Sequence, residues 1–448
     1  METAVNRLKA TIAHKFSGKR GVLYLVVGLF ILALLVLTAI PTVNNTISLI
    51  DSIFNSKYEK DYMVAAGLVV SALLCMAFEN VFTIPVVKED PKFRRGWART
   101  RHLVTLVLLT AGLRVLYALT INPSTALTSG EFSKWTFGTF GLQGPWTLTI
   151  VNIVLYTLSV VCVYFVAYIL CRRWNAAFAS AVAVAIWPNA LFGTTVAGTQ
   201  SMVVVFLTLA ATLMGLVALF GKDKPKTWVS IVTMLAMAIV SGALTVVSFV
   251  GMVIPFAMLV CTLVKRSEDK LYNRVRIVYA IGGLLFTAGV AFGLGYLAYR
   301  VTGENEIFAQ VFTAGAEMPK QLVAKFASVW GGDFSLVDSM MSNSVKPANK
   351  SFASVYDSLY GSPLIIKVIC QLYYTGMLYI SGRGIFVSFR NSEFDSRPAI
   401  GVMAAVILTV VLTVVAPSTQ IYHMPAIALI MCLASLGFEA VEPDYEGL

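Results

Sequence analysis

Charge is what this chain has least of. Only 13% of its 448 residues are Asp, Glu, Lys or Arg, and 58% are hydrophobic, whereas a soluble globular domain is about a quarter charged. A mean hydropathy of +0.78 agrees, and together these exclude an ordinary water-soluble domain. Acids are the scarcer sign, 23 against 34 Lys and Arg, and there are three histidines, so chemistry based on carboxylate pairs or His-rich metal centres has few residues to use. The six cysteines, Cys75, Cys162, Cys171, Cys261, Cys370 and Cys432, fall inside apolar runs or at their ends. That placement excludes a disulfide framework, and no spacing among them suits a metal. P-loop, nucleophile-elbow and zinc-protease motifs are missing.

Long apolar runs fill the space instead. Each is about 20 residues, the length that crosses a roughly 30 Å hydrocarbon core as a helix while satisfying its own backbone. Twelve are expected, which makes the chain an all-α polytopic membrane protein: 21–42, 62–82, 102–120, 146–170, a fifth from the CRRWN turn to AIWPN, 201–220, 228–247, 249–264, 277–299, 363–380, 399–416 and 421–438. Almost nothing separates the seventh and eighth, and Gly242, Gly251 and Pro255 lie nearby, so 228–264 reads as two spans or as a re-entrant pair. The first run is too long for a signal-peptide core and is expected to be retained.

The net charge of +11 reads as a topology signal rather than a nucleic-acid one. Of the 34 basic residues, 24 fall in the first twenty residues and the even-numbered turns, eight in the opposite turns and two, Arg114 and Lys367, within spans. By the positive-inside rule both termini are cytoplasmic. The run KFRRGWARTR (92–101) is then an inner basic turn, able also to meet anionic lipid.

Polar chemistry concentrates between Arg114 and Gln200. An intramembrane arginine is costly enough to mark function by default; the competing reading is a side chain snorkelling from a helix end. The outer loop 121–145 holds one acid, Glu131, and one base, Lys134. Pro188, in AIWPN, is expected to break the fifth run near the outer face. A longer outer loop, 300–362, carries an apolar i, i+3, i+4 rhythm at Leu322, Val323, Phe326, Val329 and Trp330, the pattern of an amphipathic helix lying on the membrane surface. Three parts follow: spans 1–299 with a core at 103–220, the external loop or lid 300–362, and spans with a cytoplasmic tail at 363–448. Short hairpins would bring Arg114, Glu131, Lys134, Gln200, Lys367, Tyr422 and His423 together at the outer face.

The order of these features resembles the GT-C superfamily of integral-membrane glycosyltransferases, which use polyprenyl-phosphate-linked sugars. The resemblance covers residues 113–220 and, more weakly, the last span. LRVLYAL and the following TSGEFSKW occupy the places of the family's Arg-containing segment and its Asp-centred loop motif. VYFVAYILCRRWNAAFASAVAVAIWPNALF follows the family's Tyr-rich helix, basic turn and Ala-rich helix ending near Pro, and IYHMP matches the Tyr and Pro that open its last span. Two acids depart from the pattern: Gly130 stands at the first, leaving neighbouring Glu131, and Gln200 at the second.

The resemblance implies a glycosyltransferase-like protein that binds a polyprenyl-phosphate sugar at the outer face and serves assembly of a cell-surface glycan, polysaccharide or glycolipid. Glu131 would be the catalytic base, while Arg114, Lys134, Gln200, Lys367, Tyr422 and His423 would bind substrate or lipid phosphate. An amide at Gln200 is a poor cation ligand, so no metal site and no cofactor is assigned. Membrane lipid and a glycan or glycolipid acceptor are the expected partners, with a membrane-protein partner also open, and nucleic acid is not one. Compact loops and the lack of sorting signals favour a bacterial plasma membrane, with the endoplasmic reticulum as the second location. Two other readings stay open: a catalytically inactive binding or partner subunit derived from that family, and a polysaccharide polymerase or transporter.

Overall fold

The computed structural model describes residues 29–30, 32–34, 36–37, 93–120, 144–195, 199–220, 227–264, 270–302, 326, 329–333, 336, 363–390, 397–415 and 420–438. Among them every regular element is helical. The helices are α1 (Phe93–Thr120), α2 (Pro145–Cys171), α3 (Trp174–Ala185), α4 (Pro188–Phe192), a 3₁₀ turn (Gly193–Thr195), α5 (Thr199–Phe220), α6 (Thr227–Val247), α7 (Val250–Val264), α8 (Lys270–Thr302), α9 (Pro363–Arg390), α10 (Arg397–Val415) and α11 (Gln420–Ala434). Six helices are long and apolar enough to cross a membrane, or seven if α3 with α4 and the 3₁₀ turn counts as one span, and two shorter apolar helices (Val250–Leu263 and Tyr422–Ala434) accompany them. The chain is an integral membrane protein. The expected span 62–82 and most of 21–42 lie outside the described residues.

Helix ends follow local chemistry. Pro145 opens α2 behind Gly144, whose φ of 131° suits only glycine. Arg172 closes α2 in the left-handed conformation, its N–H donating to Tyr168 O at 2.8 Å. The α2–α3 connection is therefore tight, as CRRWN predicts. Three expected boundaries move. Helix α1 begins at Phe93, so most of the basic run expected to be a turn forms its first turns; α8 begins at Lys270 and α9 extends to Arg390. At α1 and α8 the cause is that Lys and Arg are good helix formers and continue a helix past the edge of its apolar stretch; in α9 the extension carries the further apolar residues Ile385, Phe386 and Val387 beyond Gly382 and Gly384.

Residues 228–264 form two helices that double back at Ser248–Phe249. Gly251 permits this return, since a Cβ there would overlap the Ser241 carbonyl and the Thr245 backbone and hydroxyl. The core lies where α2, α3, α5 and α11 meet, with eight small or medium residues of α3 buried. Small side chains allow that close approach in lipid. Hydroxyls lock it: Ser180 donates to Met431 O from α3 to α11, and Ser381 donates to Ile430 O at 2.8 Å from α9. On the outside, α8 leaves Leu285 68% and Phe292 74% exposed, the state of a lipid-facing helix.

Much of the loop 300–362, expected to be external, lies outside the described residues. Within its predicted amphipathic stretch, residues 326, 329 and 330 are helical. Phe326 and Val329 pack against the core, and Trp330 is wholly buried. The end of that stretch is thus held by protein, because the Trp330 indole finds a partner there that lipid does not offer: Nε1 donates to Thr413 Oγ1 at 2.8 Å.

Two glycines give a paired test. Gly251→Ala should cost about 1–3 kcal/mol through overpacking. Gly289→Ala on α8, where an added Cβ meets nothing within 4 Å, should be neutral or stabilising by up to about 1 kcal/mol. Thermal unfolding of both in detergent checks this; equal behaviour would disprove the tight α6–α7 return.

Candidate functional site

The site begins where Pro188 interrupts an apolar helix, whereas Pro255 and Pro425 sit within continuous ones. Pro188 has no amide hydrogen and disfavours helical geometry in the residue before it. Accordingly α3 ends at Ala185, Trp187 takes φ −53° and ψ 113°, and the chain restarts as α4 at a bend of 48°. Three successive carbonyls at the break, those of residues 183 to 185, are met by side chains from three helices. Tyr373 of α9 donates to Ala183 O, Tyr156 of α2 to Val184 O at 2.8 Å, and Arg114 Nη1 of α1 to Ala185 O at 2.9 Å. Buried backbone acceptors in lipid need such partners, so the break converts a sequence defect into a polar junction.

Arg114 is completely buried. Its guanidinium stands 3.6 Å from the Tyr156 ring centroid, a cation–π contact strengthened by desolvation. Nε and Nη2 have no hydrogen-bond partner among the described residues. Those two nitrogens form the side-on edge of the guanidinium, a fork that takes two oxygens of one phosphate or carboxylate.

On the other side of the break stands a carboxylate. Of the chain's 23 acids, Asp333 alone falls among the described residues, and it is 1% exposed. Trp187 Nε1 donates to its Oδ2 at 2.6 Å, Asn189 Nδ2 to its Oδ1 at 2.7 Å, and His423 Nε2 to Oδ1 at 3.3 Å. Asn189 Oδ1 in turn accepts Leu336 N at 3.2 Å. Further bonds fix the same segment: Gln371 Nε2 to Gly331 O at 2.8 Å and Tyr374 OH to Trp330 O at 3.4 Å. The Trp330 and His423 rings lie 4.8 Å apart. His423 Nδ1 has no partner among the described residues. Nitrogen donors thus surround the Asp333 carboxylate, and that donor set does not fit a divalent cation, which needs oxygens at the same positions.

The expected site residues divide. Arg114 and His423 stand on opposite sides of the Pro188 break. Tyr422, next to His423, points instead into an apolar cluster with Val204, Leu244, Val247 and Val250. Gln200 is half-buried in the first turn of α5, and Lys367 is half-buried one turn before Gln371 on α9. Glu131 and Lys134 lie outside the described residues. Sequence reasoning missed Asp333, Trp187, Asn189, Trp330 and Gln371. A signal existed for Asp333: in WGGDF it directly follows the amphipathic stretch, between two glycines and a phenylalanine, and a lone acid so placed has to find buried donors.

No family model and no curated protein matches the chain. Two solved structures are similar to it. The crystal structure of ArnT from Cupriavidus metallidurans bound to undecaprenyl phosphate is 16% identical, the alignment covering 83% of this chain and 77% of that one with a TM-score of 0.33. Its apo counterpart is 15% identical over the same shares, with a TM-score of 0.32.

Asp333→Asn replaces an acceptor with an NH₂ group that faces other N–H donors. Losing charge-assisted bonds of this kind should cost about 3 kcal/mol, seen as a lower unfolding temperature and as faster proteolysis after the 330–336 segment comes loose. Wild-type stability would mean that Asp333 does not hold the segment.

Proposed function

We propose that this chain is a GT-C-like membrane glycosyltransferase or a close derivative, which binds a polyprenyl-phosphate-linked sugar at the outer face for assembly of a cell-surface glycan. The observation that carries the reading is the Arg114 guanidinium: wholly buried in a membrane helix, bonded to Ala185 O through Nη1, with Nε and Nη2 lacking partners among the described residues. A buried cation in lipid calls for an anion. A lipid phosphate supplies one with two oxygens at the spacing of that fork. The order of sequence features across 113–220, which resembles the GT-C family, supports the same assignment.

In this reading Lys134 and Lys367 add positive donors around the phosphate and Gln200 lines the approach, while His423, bonded to Asp333, and Tyr422, packed in an apolar cluster, take structural places instead of the expected binding ones. Transfer requires a base to take the acceptor hydroxyl's proton as its oxygen bonds to the sugar and the phosphate leaves. Glu131, the acid of the 121–145 loop, takes that role. Asp333 does not, since both of its oxygens are engaged by donors. The distribution of Lys and Arg supports cytoplasmic termini, and the compact loops favour a bacterial plasma membrane over the endoplasmic reticulum.

A second reading, a binding or partner subunit without catalysis, is favoured by one observation. Gln200 and Gly130 stand where the resembled family keeps acids, and Asp333 is committed to structure.

Two variants test these readings. Arg114→Gln in the full chain, reconstituted in nanodiscs and titrated with undecaprenyl phosphate, should bind at least about tenfold more weakly, the effect of losing one charge-assisted interaction. Unchanged affinity would sink the phosphate assignment. Glu131→Gln should leave that binding intact and lower sugar transfer by about 10²-fold; equal glycan output from wild type and variant would select the binding-only reading.

A further inference from the structure

One side chain of the Pro188 junction touches both the Arg114 guanidinium and a carbonyl of the break. Tyr156, on α2, is buried. Its hydroxyl donates to Val184 O at 2.8 Å, and its ring centroid lies 3.6 Å from the Arg114 guanidinium carbon. The two contacts use different parts of the side chain, so substitution can separate them.

A guanidinium can be held at its edges or at its faces. Its five N–H groups leave along the edges of one plane, while the faces stack on aromatic rings. Nη1 donates to Ala185 O at 2.9 Å and makes a longer contact with Thr110 O at 3.5 Å. Those bonds fix one corner of the plane, and a contact on a face is what sets its tilt. The Tyr156 ring supplies that contact. A carboxylate in the same region would also attract the cation, but it would compete for Nε and Nη2, the edge that has no partner among the described residues. An aromatic ring offsets part of the buried charge through its quadrupole and takes up no N–H.

The ring is anchored in turn by its hydroxyl. Val184 O, which accepts from Tyr156, and Ala185 O, which accepts from Arg114, are consecutive carbonyls. Ring and guanidinium are thus set against the same stretch of backbone, at the point where the helix stops using those carbonyls itself.

We infer that Tyr156 is the positioning residue for Arg114: its ring sets the tilt of the guanidinium plane so that Nε and Nη2 meet two oxygens of one phosphate, and leaves that edge free to do so. The inference rests on the reading of Arg114 as a phosphate ligand. Recognition by two parallel N–H···O bonds is geometric, so a fork held at the wrong tilt keeps its charge but loses one of the two bonds. The ring, and not the hydroxyl, carries the larger share of the effect on affinity.

Variants of the full chain in nanodiscs, titrated with undecaprenyl phosphate, separate the two parts. Tyr156→Phe keeps the ring and loses the bond to Val184 O; it should bind within about threefold of wild type although it unfolds at a lower temperature. Tyr156→Leu loses the ring and should bind about tenfold more weakly, with Tyr156→Met as a second ring-free variant where leucine does not give folded protein. Added to Arg114→Gln, Tyr156→Leu should change affinity by less than about twofold, since a ring that acts through the guanidinium has nothing left to act on. Ser381→Ala, which removes a buried hydroxyl bond between α9 and α11, lowers stability alone and should leave affinity unchanged. A further readout needs no ligand: with isotope-labelled arginine, the Arg114 Nε–H proton resonance should lie upfield, under the ring, in wild type and Tyr156→Phe, and lose that shift in Tyr156→Leu. Equal weakening by phenylalanine and leucine, an additive effect in the Arg114→Gln background, or a resonance that leucine leaves in place would overturn the inference and make Tyr156 a partner for Val184 O only. Failure of the underlying reading looks different: Arg114→Gln would then bind as wild type does, with the ring shift still present.

Discussion

The polar junction of this bundle depends on the helix break at Pro188. An uninterrupted helix would have bonded the carbonyls of Ala183, Val184 and Ala185 to its own next turn. The break hands them to Tyr373, Tyr156 and Arg114, and each acceptor ties a different helix to α3. The residues flanking the proline do the same in the other direction. Trp187 and Asn189 both donate to Asp333, so one defect anchors α1, α2 and α9 on one side and the external loop on the other.

Charge sets the limits of that arrangement. One guanidinium and one carboxylate are buried within it, and the Tyr156 side chain is within electrostatic reach of both Arg114 and Asp333. Burying polar groups of this kind in a low-dielectric interior requires nearby hydrogen-bond partners. Asp333 is fully supplied with donors, whereas Arg114 retains an open edge among the described residues. That asymmetry is why the arginine reads as the ligand-facing member and the aspartate as the structural one.

The parts of this picture that were legible in the sequence are those set by local chemistry. Apolar run length located the helices, CRRWN the tight turn, and Pro188 the break. Arg114 stood out because a cation inside an apolar run has so few harmless explanations. Helix ends were misplaced where Lys and Arg continue a helix beyond its apolar stretch, as at Phe93 and Lys270. Asp333 was missed for a different reason. Its partners Trp187, Asn189 and His423 lie 146, 144 and 90 residues away, and no periodicity reports a contact at that separation. The amphipathic rhythm ending at Trp330 showed that something apolar covered this stretch, but lipid and protein leave the same pattern.

Helix length shows how deep the external loop reaches. Helix α3 has 12 residues, so it rises about 18 Å from the Arg172–Trp174 turn to the break. A hydrocarbon core is about 30 Å thick. If that turn lies at one interface, as its paired arginines require, the Pro188 junction sits well short of the other. Asp333 and Leu336, bonded to Trp187 and Asn189, then sit at membrane depth as well. Irregular backbone is tolerated there only where protein satisfies it. The bonds from Gln371 to Gly331 O, from Tyr374 to Trp330 O and from Leu336 N to Asn189 meet that condition. Residues 330–333 and 336 therefore lie inside the bundle rather than over it, held at the Pro188 junction beside the buried Arg114.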